Sequence, residues 1–538
     1  MTEYIPYGDH LRSYLSDESR LGGSFDRIAF PDSADDMAAA VRDLISSHTP
    51  FTLQGARTGI SGAAVPAGGT VISTEKLTAI YPVSGGEGSD PTITVSPISG
   101  DTAPGPTITV SPISGGTGPG PTITVSPISG GTGPGPTITV ESGARLESIR
   151  TTINSVSNSL VFAPNPTEET ATAGGLFAAG AYGSNSFRYG SFADHVTAAD
   201  ILLANGELMS VRRGDNIFTE DGCSLPGGRF IAIPEYHKPS GVCSFTPRPG
   251  TDLLDLFAGS EGMFGVAVRL TLKLSPVPPE PKAVLFFFRD KDEGAAFASG
   301  TAAKNETRPD FVEYLDQNVL MLLERQKSGV SKLKELPSVP EGAVCAVYTE
   351  LTHPDSADAE SWLMDRLLSF EKAGGREEDT WAAFGAYEAS RFKSLRHAVP
   401  ELINTRIDAA RRAYPGAVKT CIDYSVPDSR FDTVLARSER AASASGVEHY
   451  IFGHAAENRL HVNFIPKDDG EALSSDSAIR ELCRFTLENG GFVFPENGIG
   501  RIKAALFKEL IPPGELAMLR GIKDFFDPER LFCPNGVL

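Results

Sequence analysis

Basic residues are in the minority in this chain of 538 residues. The 48 lysines and arginines stand against 68 aspartates and glutamates, which gives a formal net charge of −20. Nucleic-acid binding depends on a cationic surface that releases phosphate counterions, so the balance argues against a nucleic-acid partner. Docking on anionic lipid is disfavoured for the same reason. An anionic small molecule stays compatible with this charge if a local cationic pocket holds it.

The six cysteines are dispersed and include no Cys-x-x-Cys pair. This spacing excludes a fused iron–sulfur ferredoxin module and argues against a disulfide framework. Long apolar runs are absent as well, so no membrane span is predicted. Residues 1–20 have neither a basic start nor an apolar stretch, and their acidic residues argue against a transit peptide. These absences predict a cytoplasmic protein.

Helical and extended patterns alternate along the chain. Residues 33–48 predict an amphipathic helix capped by Ser33, and a short strand then enters a glycine-rich turn. A proline-rich junction at residues 276–281 separates two such sets of elements, which predicts two α+β units. Further strands are predicted at residues 50–53, 199–203, 266–274, 283–288 and 343–351, and further helices at 144–152, 295–303, 309–325 and 356–373.

A repeat interrupts the first half of the chain. Fifteen residues, PTITVSPISGDTAPG, begin at Pro91 and recur almost unchanged at Pro106 and Pro121, and a truncated copy begins at Pro136. Each copy combines a short alternating strand with a turn rich in proline and glycine. One copy is enough to supply a strand to the domain, and the last is favoured because it leads directly into a predicted helix. The spare copies have little apolar surface to bury, so an exposed protrusion is expected.

Three stretches with few bulky side chains stand at separate points of the chain. Such stretches expose backbone N–H groups and let a phosphate or a flat ring approach the main chain. None is the Rossmann glycine motif or a Walker loop, and each taken singly is more often structural. The occurrence of all three stretches in this order along one chain argues against a chance combination. They are Gln54-Gly55-Ala56-Arg57-Thr58-Gly59-Ile60-Ser61-Gly62, then Pro164-Asn165-Pro166 with Thr170-Ala171-Thr172-Ala173-Gly174-Gly175 and Arg188-Tyr189-Gly190, and finally Gly259-Ser260-Glu261-Gly262-Met263-Phe264-Gly265.

With these three stretches in this order, the chain resembles the FAD-linked oxidases of the vanillyl-alcohol oxidase and p-cresol methylhydroxylase (PCMH) superfamily. The nearest branch holds D-lactate and D-2-hydroxyglutarate dehydrogenases and the large subunit of glycolate oxidase. The most specific matching pieces are residues 259–265, 453–463 and 496–500. The resemblance implies an α+β fold with a two-lobed PCMH-type FAD-binding domain and an α+β substrate (cap) domain over an antiparallel sheet, followed by a C-terminal helical segment. The expected bounds are 1–278 with the repeat insertion at 84–135, then 279–474, then 475–538, which returns to the FAD domain.

The same resemblance implies FAD bound without a covalent link, because the first loop lacks the histidine that covalent members use. Arg57 stands where this branch usually has glycine, so either one phosphate contact becomes cationic or the loop bends differently. The implied FAD-binding residues are Gln54, Gly55, Ala56, Arg57, Thr58, Gly59, Ser61, Gly62, Pro164, Thr172, Gly174, Gly175, Ala178, Tyr189, Glu261, Gly265 and Val266.

His454, His461 and Glu496 form a two-histidine, one-carboxylate set suited to Zn²⁺ or Mn²⁺. Without context, a histidine pair flanking a turn is more often a plain polar pair. The resemblance favours the metal hypothesis, since dehydrogenases of this branch use these positions as ligands. Such a metal would polarise the substrate hydroxyl.

Asn497 departs from the family pattern. Related dehydrogenases carry there the histidine that takes the hydroxyl proton, and an amide cannot accept that proton. Three hypotheses stay open: His454 or His461 acts as the base, a metal-bound hydroxide or alkoxide suffices, or the chain catalyses a different oxidation or very little.

Arg396 matches the residue that grips the substrate carboxylate in relatives, and its bidentate geometry suits that role. A solvated helix arginine is the equally weighted structural alternative. Lys419 could assist, although its register is shifted from the family's lysine, and Pro400 falls where relatives often have a hydroxyl residue. The substrate pocket is therefore expected to differ from that of relatives.

The implied function is oxidation of a 2-hydroxyacid such as D-lactate, glycolate or 2-hydroxyglutarate to the 2-oxoacid by hydride transfer to flavin N5. His461, His454, Arg396 and Asn497 are the expected catalytic positions. Electrons would pass to a separate electron-transfer flavoprotein or iron–sulfur subunit, and a homodimer stays open. Two alternatives remain: an FAD enzyme acting on another alcohol or an alkyl-transfer substrate, and a non-catalytic flavin-binding subunit, which the loss of histidine at Asn497 favours.

Overall fold

The computed structural model describes residues 2–84, 135–302, 307–427, 430–534 and 536–538. The three complete repeats that begin at Pro91, Pro106 and Pro121 lie outside the described residues. The truncated copy is inside them and supplies the strand Thr137–Glu141, as predicted. In the described part of the chain, no helix combines the length and the apolar character needed to span a bilayer.

Two four-stranded sheets form the N-terminal half. In the first, the outer strand is antiparallel and the other three run parallel; its order is Tyr4–Pro6, Arg27–Ala29, Thr70–Ser73, Phe51–Gln54. The second is antiparallel throughout, in the order Thr137–Glu141, Val266–Lys273, Val196–Leu202, Leu208–Arg212. Short two-stranded ribbons join Gly222–Ser224 to Phe230–Ala232 and Leu160–Val161 to Ser275–Pro276.

An eight-stranded antiparallel sheet dominates the C-terminal half. Its strands in spatial order are Thr380–Phe384, Lys282–Phe288, Cys345–Leu351, Phe311–Asp316, His449–His454, Arg459–Phe464, Thr420–Ser425 and Phe492–Val493. Its six inner strands are buried along almost their whole length, because helices cover the sheet. This arrangement confirms the predicted α+β class with a cap domain over an antiparallel sheet.

The helices are short in the first half and long in the second. Ser33 begins the first one as predicted, with its side chain accepting a hydrogen bond from the Asp36 amide. The helices are Ala34–Ser46, Leu146–Val156, Ala173–Ala178, Ser186–Tyr189, Leu253–Phe257, Lys291–Thr301, Gln317–Gln326, Ser356–Lys372, Ala386–Ala410, Phe431–Ser445, Asp469–Glu488, Gly500–Leu510 and Pro513–Phe526.

One predicted element is wrong in its first half. Residues 309–325 were expected to be helical throughout, but Phe311–Asp316 is a strand and only Gln317–Gln326 is a helix. The strand has neighbours on both sides, and its β-branched and aromatic residues suit a fully buried pleated surface. Asp316 then caps the helix through the Val319 amide.

The C-terminal segment contacts both halves. Phe492–Val493 extends the eight-stranded sheet, whereas Phe532 bridges to Phe51 of the first sheet, and their rings lie 4.8 Å apart. The expected boundary at residues 474 and 475 falls inside the helix Asp469–Glu488. The six cysteines are all free, in agreement with the expectation of no disulfide framework.

Candidate active site

A cavity of about 630 Å³ lies between the N-terminal half and the eight-stranded sheet. Its volume is in the range of pockets that hold small molecules and cofactors. Thr58, Gly175 and Glu261, one from each glycine-rich stretch, all line this cavity. The three stretches are far apart in sequence, and the fold brings them to one wall.

The first loop forms a left-handed turn at Arg57, where φ is +62°. Glycine adopts this conformation at no steric cost, which is why an arginine at a glycine position matters here. Arg57 adopts this conformation nevertheless, and its guanidinium lies over the Tyr14 ring, 4.2 Å from its centroid. Arg57 lines the cavity and so adds a cation to this wall.

The second stretch starts a short helix whose N-terminus faces the cavity. Thr172 caps the helix Ala173–Ala178 by accepting from the Gly175 amide at 3.3 Å. A Cβ on Gly174 would lie 2.6 Å from the Ser142 Cβ, so only glycine lets the backbone pack this closely.

Glu261 fixes the third stretch to the C-terminal segment. Its buried carboxylate accepts from the backbone amides of Ile499 and Gly500 at 2.9 Å each and from the Ser61 hydroxyl at 3.2 Å. Burial raises the pKa of Glu261 above its ordinary value. Its carboxylate therefore joins the first loop to residues 499–500, while Gly265 and Val266 line the cavity beside it.

Most of the predicted cofactor residues share this cavity. Three of them do not line it. Gly62 packs beside Leu21, and the Pro164 carbonyl accepts a hydrogen bond from Arg150. Tyr189 lies next to Arg188, which pairs with Asp310 of the cap domain. The predicted residues that line the cavity are Gln54, Gly55, Ala56, Arg57, Thr58, Gly59, Ser61, Thr172, Gly174, Gly175, Ala178, Glu261, Gly265 and Val266.

His461 projects from the eight-stranded sheet into the opposite wall of the cavity. It lies directly across from Asp423 on the neighbouring strand, and its Nδ1 is 2.7 Å from Asp423 Oδ1. Its Nε2 is 3.3 Å from Glu496 Oε1. Burial disfavours the imidazolium, but Glu496 and Asp423 outweigh burial and raise the pKa of His461.

His454 ends the adjacent strand and lies behind this wall, outside the residues that line the cavity. Its Nδ1 is 2.9 Å from Glu313 Oε2, and its Nε2 is 3.5 Å from a terminal nitrogen of Arg396. Arg396 also pairs with Glu313 through Nε at 3.1 Å and contacts the Thr167 hydroxyl. Burial disfavours ionised Glu313, but Arg396 and His454 overcome this and hold the pKa of Glu313 well below its usual range.

The Asn497 side chain contacts Asp423, the carboxylate beside His461. The amide donates to Asp423 Oδ2 at 3.2 Å, and Lys503 lies 3.3 Å from the same oxygen. Asp423 is therefore held by a lysine, an amide and an imidazole. Burial disfavours the charged form, but Lys503 and His461 keep the pKa of Asp423 low. Asn497 adopts a left-handed conformation with φ of +64°, which asparagine tolerates better than most residues.

The three predicted metal ligands converge. One ligand atom from each of His454, His461 and Glu496 can be chosen so that all lie within 4.8 Å of one another, and all three residues are buried. Each histidine has a carboxylate oxygen within 2.9 Å of Nδ1, and the hydrogen bond of His461 to Asp423 is of the kind that orients Nε2 as a ligand in metal sites. Glu496 Oε1 is buried without a hydrogen-bond partner among the described residues. The donor set therefore fits a divalent cation.

Four further residues belong to this site and were not among the predicted ones. Asp423 and Glu313 lie far from the histidines in sequence, and only strand pairing brings them together. Asn463 lines the cavity two residues after His461, and its buried Nδ2 has no acceptor in the part of the chain that the structure describes. Arg459, two residues before His461, stacks on Tyr182 at 3.8 Å and lies 3.8 Å from Glu496. The alternation of strand residues around His461 is the signal that could have identified Asn463 and Arg459.

Comparison with known proteins identifies the family to which this architecture belongs. Residues 277–537 match the C-terminal domain of FAD linked oxidases, and residues 132–212 match an FAD binding domain. The chain belongs to the FAD-linked oxidase family. Within the family it is 23% identical to a D-lactate dehydrogenase of Anaerostipes hadrus, over 94% of this chain and 88% of the relative. It is likewise 23% identical to glycolate oxidase subunit GlcD of Bacillus subtilis, over 70% of this chain and 71% of that subunit.

Solved structures confirm the fold of this FAD-linked oxidase. The 4-ethylphenol oxidase from Gulosibacter chungangensis superposes with a TM-score of 0.62 at 15% identity, covering 99% of this chain and 94% of that one. An alkyldihydroxyacetonephosphate synthase superposes with a TM-score of 0.59 at 12% identity, covering 95% of this chain and 76% of that one. At these identities the likeness concerns the fold alone.

Proposed function

We propose that this FAD-linked oxidoreductase converts a 2-hydroxyacid to the 2-oxoacid, with non-covalently bound FAD as the hydride acceptor. One observation carries the proposal: Arg396, His461 and Glu496 line the same cavity as the three glycine-rich stretches. A cation for a carboxylate, an imidazole for a hydroxyl and a backbone cradle for a cofactor are the parts that this reaction needs. The relatives named D-lactate dehydrogenase and glycolate oxidase support the same chemistry.

The cavity wall that the three glycine-rich stretches form fits FAD. At Gly55 and Gly174 a Cβ would collide with Thr172 or Ser142, so glycine lets these loops pack closely against each other along the cavity. FAD, when bound there, would take the hydride from the carbinol carbon of the substrate. Arg57 adds a positive charge to the loop that would hold the pyrophosphate.

Arg396 would bind the substrate carboxylate. Its side chain is 6% exposed, and Glu313 and Thr167 hold its guanidinium, which fixes the plane of that group. Arginine has five N–H donors, so further donors remain for a carboxylate after these contacts. A rigid fork of this kind orients the substrate as well as binding it.

His461 would accept the hydroxyl proton at Nε2 in the metal-free protein. Asp423 holds its Nδ1–H and stabilises the imidazolium that forms. Asn497 takes no part in the transfer, because its amide already donates to Asp423. If a Zn²⁺ or Mn²⁺ ion is held by His454, His461 and Glu496, it would polarise the substrate hydroxyl and lower its pKa. Chelation followed by rate measurement separates these two forms of the enzyme.

A separate protein would reoxidise the flavin. The sequence has no Cys-x-x-Cys pair to hold an iron–sulfur cluster, so an electron-transfer flavoprotein or an iron–sulfur subunit is the proposed acceptor.

An anaerobic titration tests the proposal. The purified chain should contain FAD that is released on denaturation, and a panel of D-2-hydroxyacids should bleach it. Bleaching by another class of alcohol alone would replace the proposed substrate. Retention of FAD with no bleaching by any alcohol would favour a non-catalytic flavin-binding subunit.

A further inference from the structure

The carboxylates around His454 and His461 have resident cations. The three pairs are Glu313 with Arg396 at 3.1 Å, Asp423 with Lys503 at 3.3 Å, and Glu496 with Arg459 at 3.8 Å. All six of these side chains are buried. Three negative charges meet three positive ones, so the cluster carries no net charge while both imidazoles are neutral and before any metal ion is bound.

Two of the three donor atoms that a metal ion would use face a guanidinium group. A terminal nitrogen of Arg396 is 3.5 Å from His454 Nε2, whereas Nδ1 of the same ring is beside Glu313. Arg459 Nη1 is 3.8 Å from Glu496 Oε1. A donor atom that faces a guanidinium is less available to a metal ion, because the same lone pairs attract both cations.

The surroundings of Arg459 hold it in this position. It begins the strand Arg459–Phe464, on the same face as His461, and its side chain is 7% exposed. Its guanidinium lies over the Tyr182 ring, 3.8 Å from the centroid, and its other terminal nitrogen is 3.7 Å from Glu457 Oε1. Tyr182 belongs to the N-terminal half, so the arginine is held between the two halves of the molecule. It has little room to move aside when a second cation enters.

Arg459 acts through Glu496 and not on a ligand in the cavity. Tyr182, His461 and Glu496 line the cavity, whereas Arg459 does not. The Nε and Nη1 atoms of Arg459 are buried and have no hydrogen-bond partner among the described residues, so its contact with Glu496 is an ion pair without a hydrogen bond. A divalent ion at Glu496 must share one carboxylate with this guanidinium, and like charges at short range repel each other.

We propose that Arg459 takes the electrostatic place of a divalent cation in this cluster. It compensates the charge of Glu496, and the two-histidine, one-carboxylate set therefore binds Zn²⁺ or Mn²⁺ only weakly. Arg459 is a positioning residue, because it acts through Glu496. One consequence, that His461 Nε2 is open to a substrate proton, rests on the proposed function. The low metal affinity does not depend on it.

Metal affinity tests this role without turnover. The FAD-loaded protein would be stripped of metal, and binding of Zn²⁺ and Mn²⁺ would be measured by equilibrium dialysis. We expect Arg459→Met to bind both ions at least about tenfold more tightly than the unaltered protein, because the repelling charge is gone. Arg459→Lys keeps the charge and should keep the weak binding.

Two further variants locate the effect. Arg437→Met is the matched control, since Arg437 also pairs with a glutamate and lies over an aromatic ring, and it should bind metal like the unaltered protein. Glu496→Gln introduced into the Arg459→Met protein should remove the gained affinity, because one of the three donors loses its charge. Retention of the gain would place the ion elsewhere and overturn the proposal.

Folding is checked on the same samples. Arg459→Met leaves Glu457 and Glu496 without their cation, so it should lower the Tm, and added metal should raise the Tm of this variant more than that of the unaltered protein. If the single variant does not fold, Arg459→Met combined with Glu457→Gln removes one charge of each sign and should show the same gain in affinity.

Equal metal affinity in the unaltered protein and in the folded methionine variant would overturn the proposal. It would also be overturned if Arg459→Lys bound metal as tightly as Arg459→Met. The predicted metal affinities in a protein whose flavin no 2-hydroxyacid bleaches would refute the proposed oxidation and leave the role of Arg459 standing.

Discussion

The two walls of the cavity are built in opposite ways. The wall from the N-terminal half is mainly backbone and small side chains from three contiguous stretches, and close steric contacts at Gly55 and Gly174 define it. The wall on the side of the eight-stranded sheet consists of charged side chains from separate strands and from the helix Ala386–Ala410, held in pairs such as His461 with Asp423 and Arg396 with Glu313. Shape therefore selects the ligand on one side, and charge selects it on the other.

This difference predicts which property a substitution in each wall changes. A substitution in the backbone wall should change cofactor occupancy, because a new side chain occupies the space of the ligand or displaces a packed loop. A substitution in the charged wall should leave FAD in place and change the chemistry or the stability, because a buried partner loses its counter-charge.

The largest expected effect is a loss of flavin reduction rate when the proposed proton acceptor is replaced. His461→Gln should slow flavin reduction by about a thousandfold, within the contribution of a positioned general base, while FAD content stays unchanged. Stopped-flow measurement of flavin bleaching checks this. His449→Gln provides the control, since His449 begins the strand that ends in His454 but lies outside the cavity lining. A rate within a few-fold of the unaltered protein in His461→Gln would remove this residue from the chemistry.

The next effect is on stability. Asp423→Asn should lower the free energy of unfolding by about 3 kcal/mol, because Lys503 and His461 lose their buried carboxylate. Urea denaturation measures this change. Asp408→Asn breaks the half-exposed pair with Arg20 and should cost less than about 1 kcal/mol. Equal losses in the two variants would show that the charged wall is not stabilised by buried pairing.

The backbone wall is tested with a pair of glycines. Gly174→Ala places a Cβ 2.6 Å from the Ser142 Cβ, so it should cost about 1 to 3 kcal/mol and reduce the FAD retained after gel filtration. Gly521→Ala places a Cβ with nothing within 4 Å, at an exposed helix position outside the cavity lining, and should retain FAD. If Gly174→Ala keeps a full complement of FAD, steric closeness does not define this wall.

The smallest effect concerns the left-handed turn at Arg57. Both Arg57→Gly and Arg57→Ala lose the stacking on Tyr14, but only glycine relieves a φ of +62°. The glycine variant should therefore be more stable than the alanine variant by about 1 kcal/mol in thermal unfolding. Equal stability would mean that the turn relaxes and that the arginine causes no backbone strain.

The same contrast explains what the sequence could predict. The backbone wall was visible because each of its parts is a contiguous run of small residues, and most of the expected cofactor residues line the cavity. Asp423 and Glu313 were not predicted, because strand register, rather than spacing along the chain, places them beside His461 and His454. The strand Phe311–Asp316 was taken for helix because a fully buried strand carries no alternation to identify it.

The most direct test of the central claim, that one cavity brings FAD and a 2-hydroxyacid together, is anaerobic stopped-flow reduction with substrate deuterated at C2. We expect the bound flavin to bleach with a primary deuterium isotope effect, because the C2–H bond breaks as the hydride leaves. FAD that stays oxidised with every 2-hydroxyacid would contradict the account.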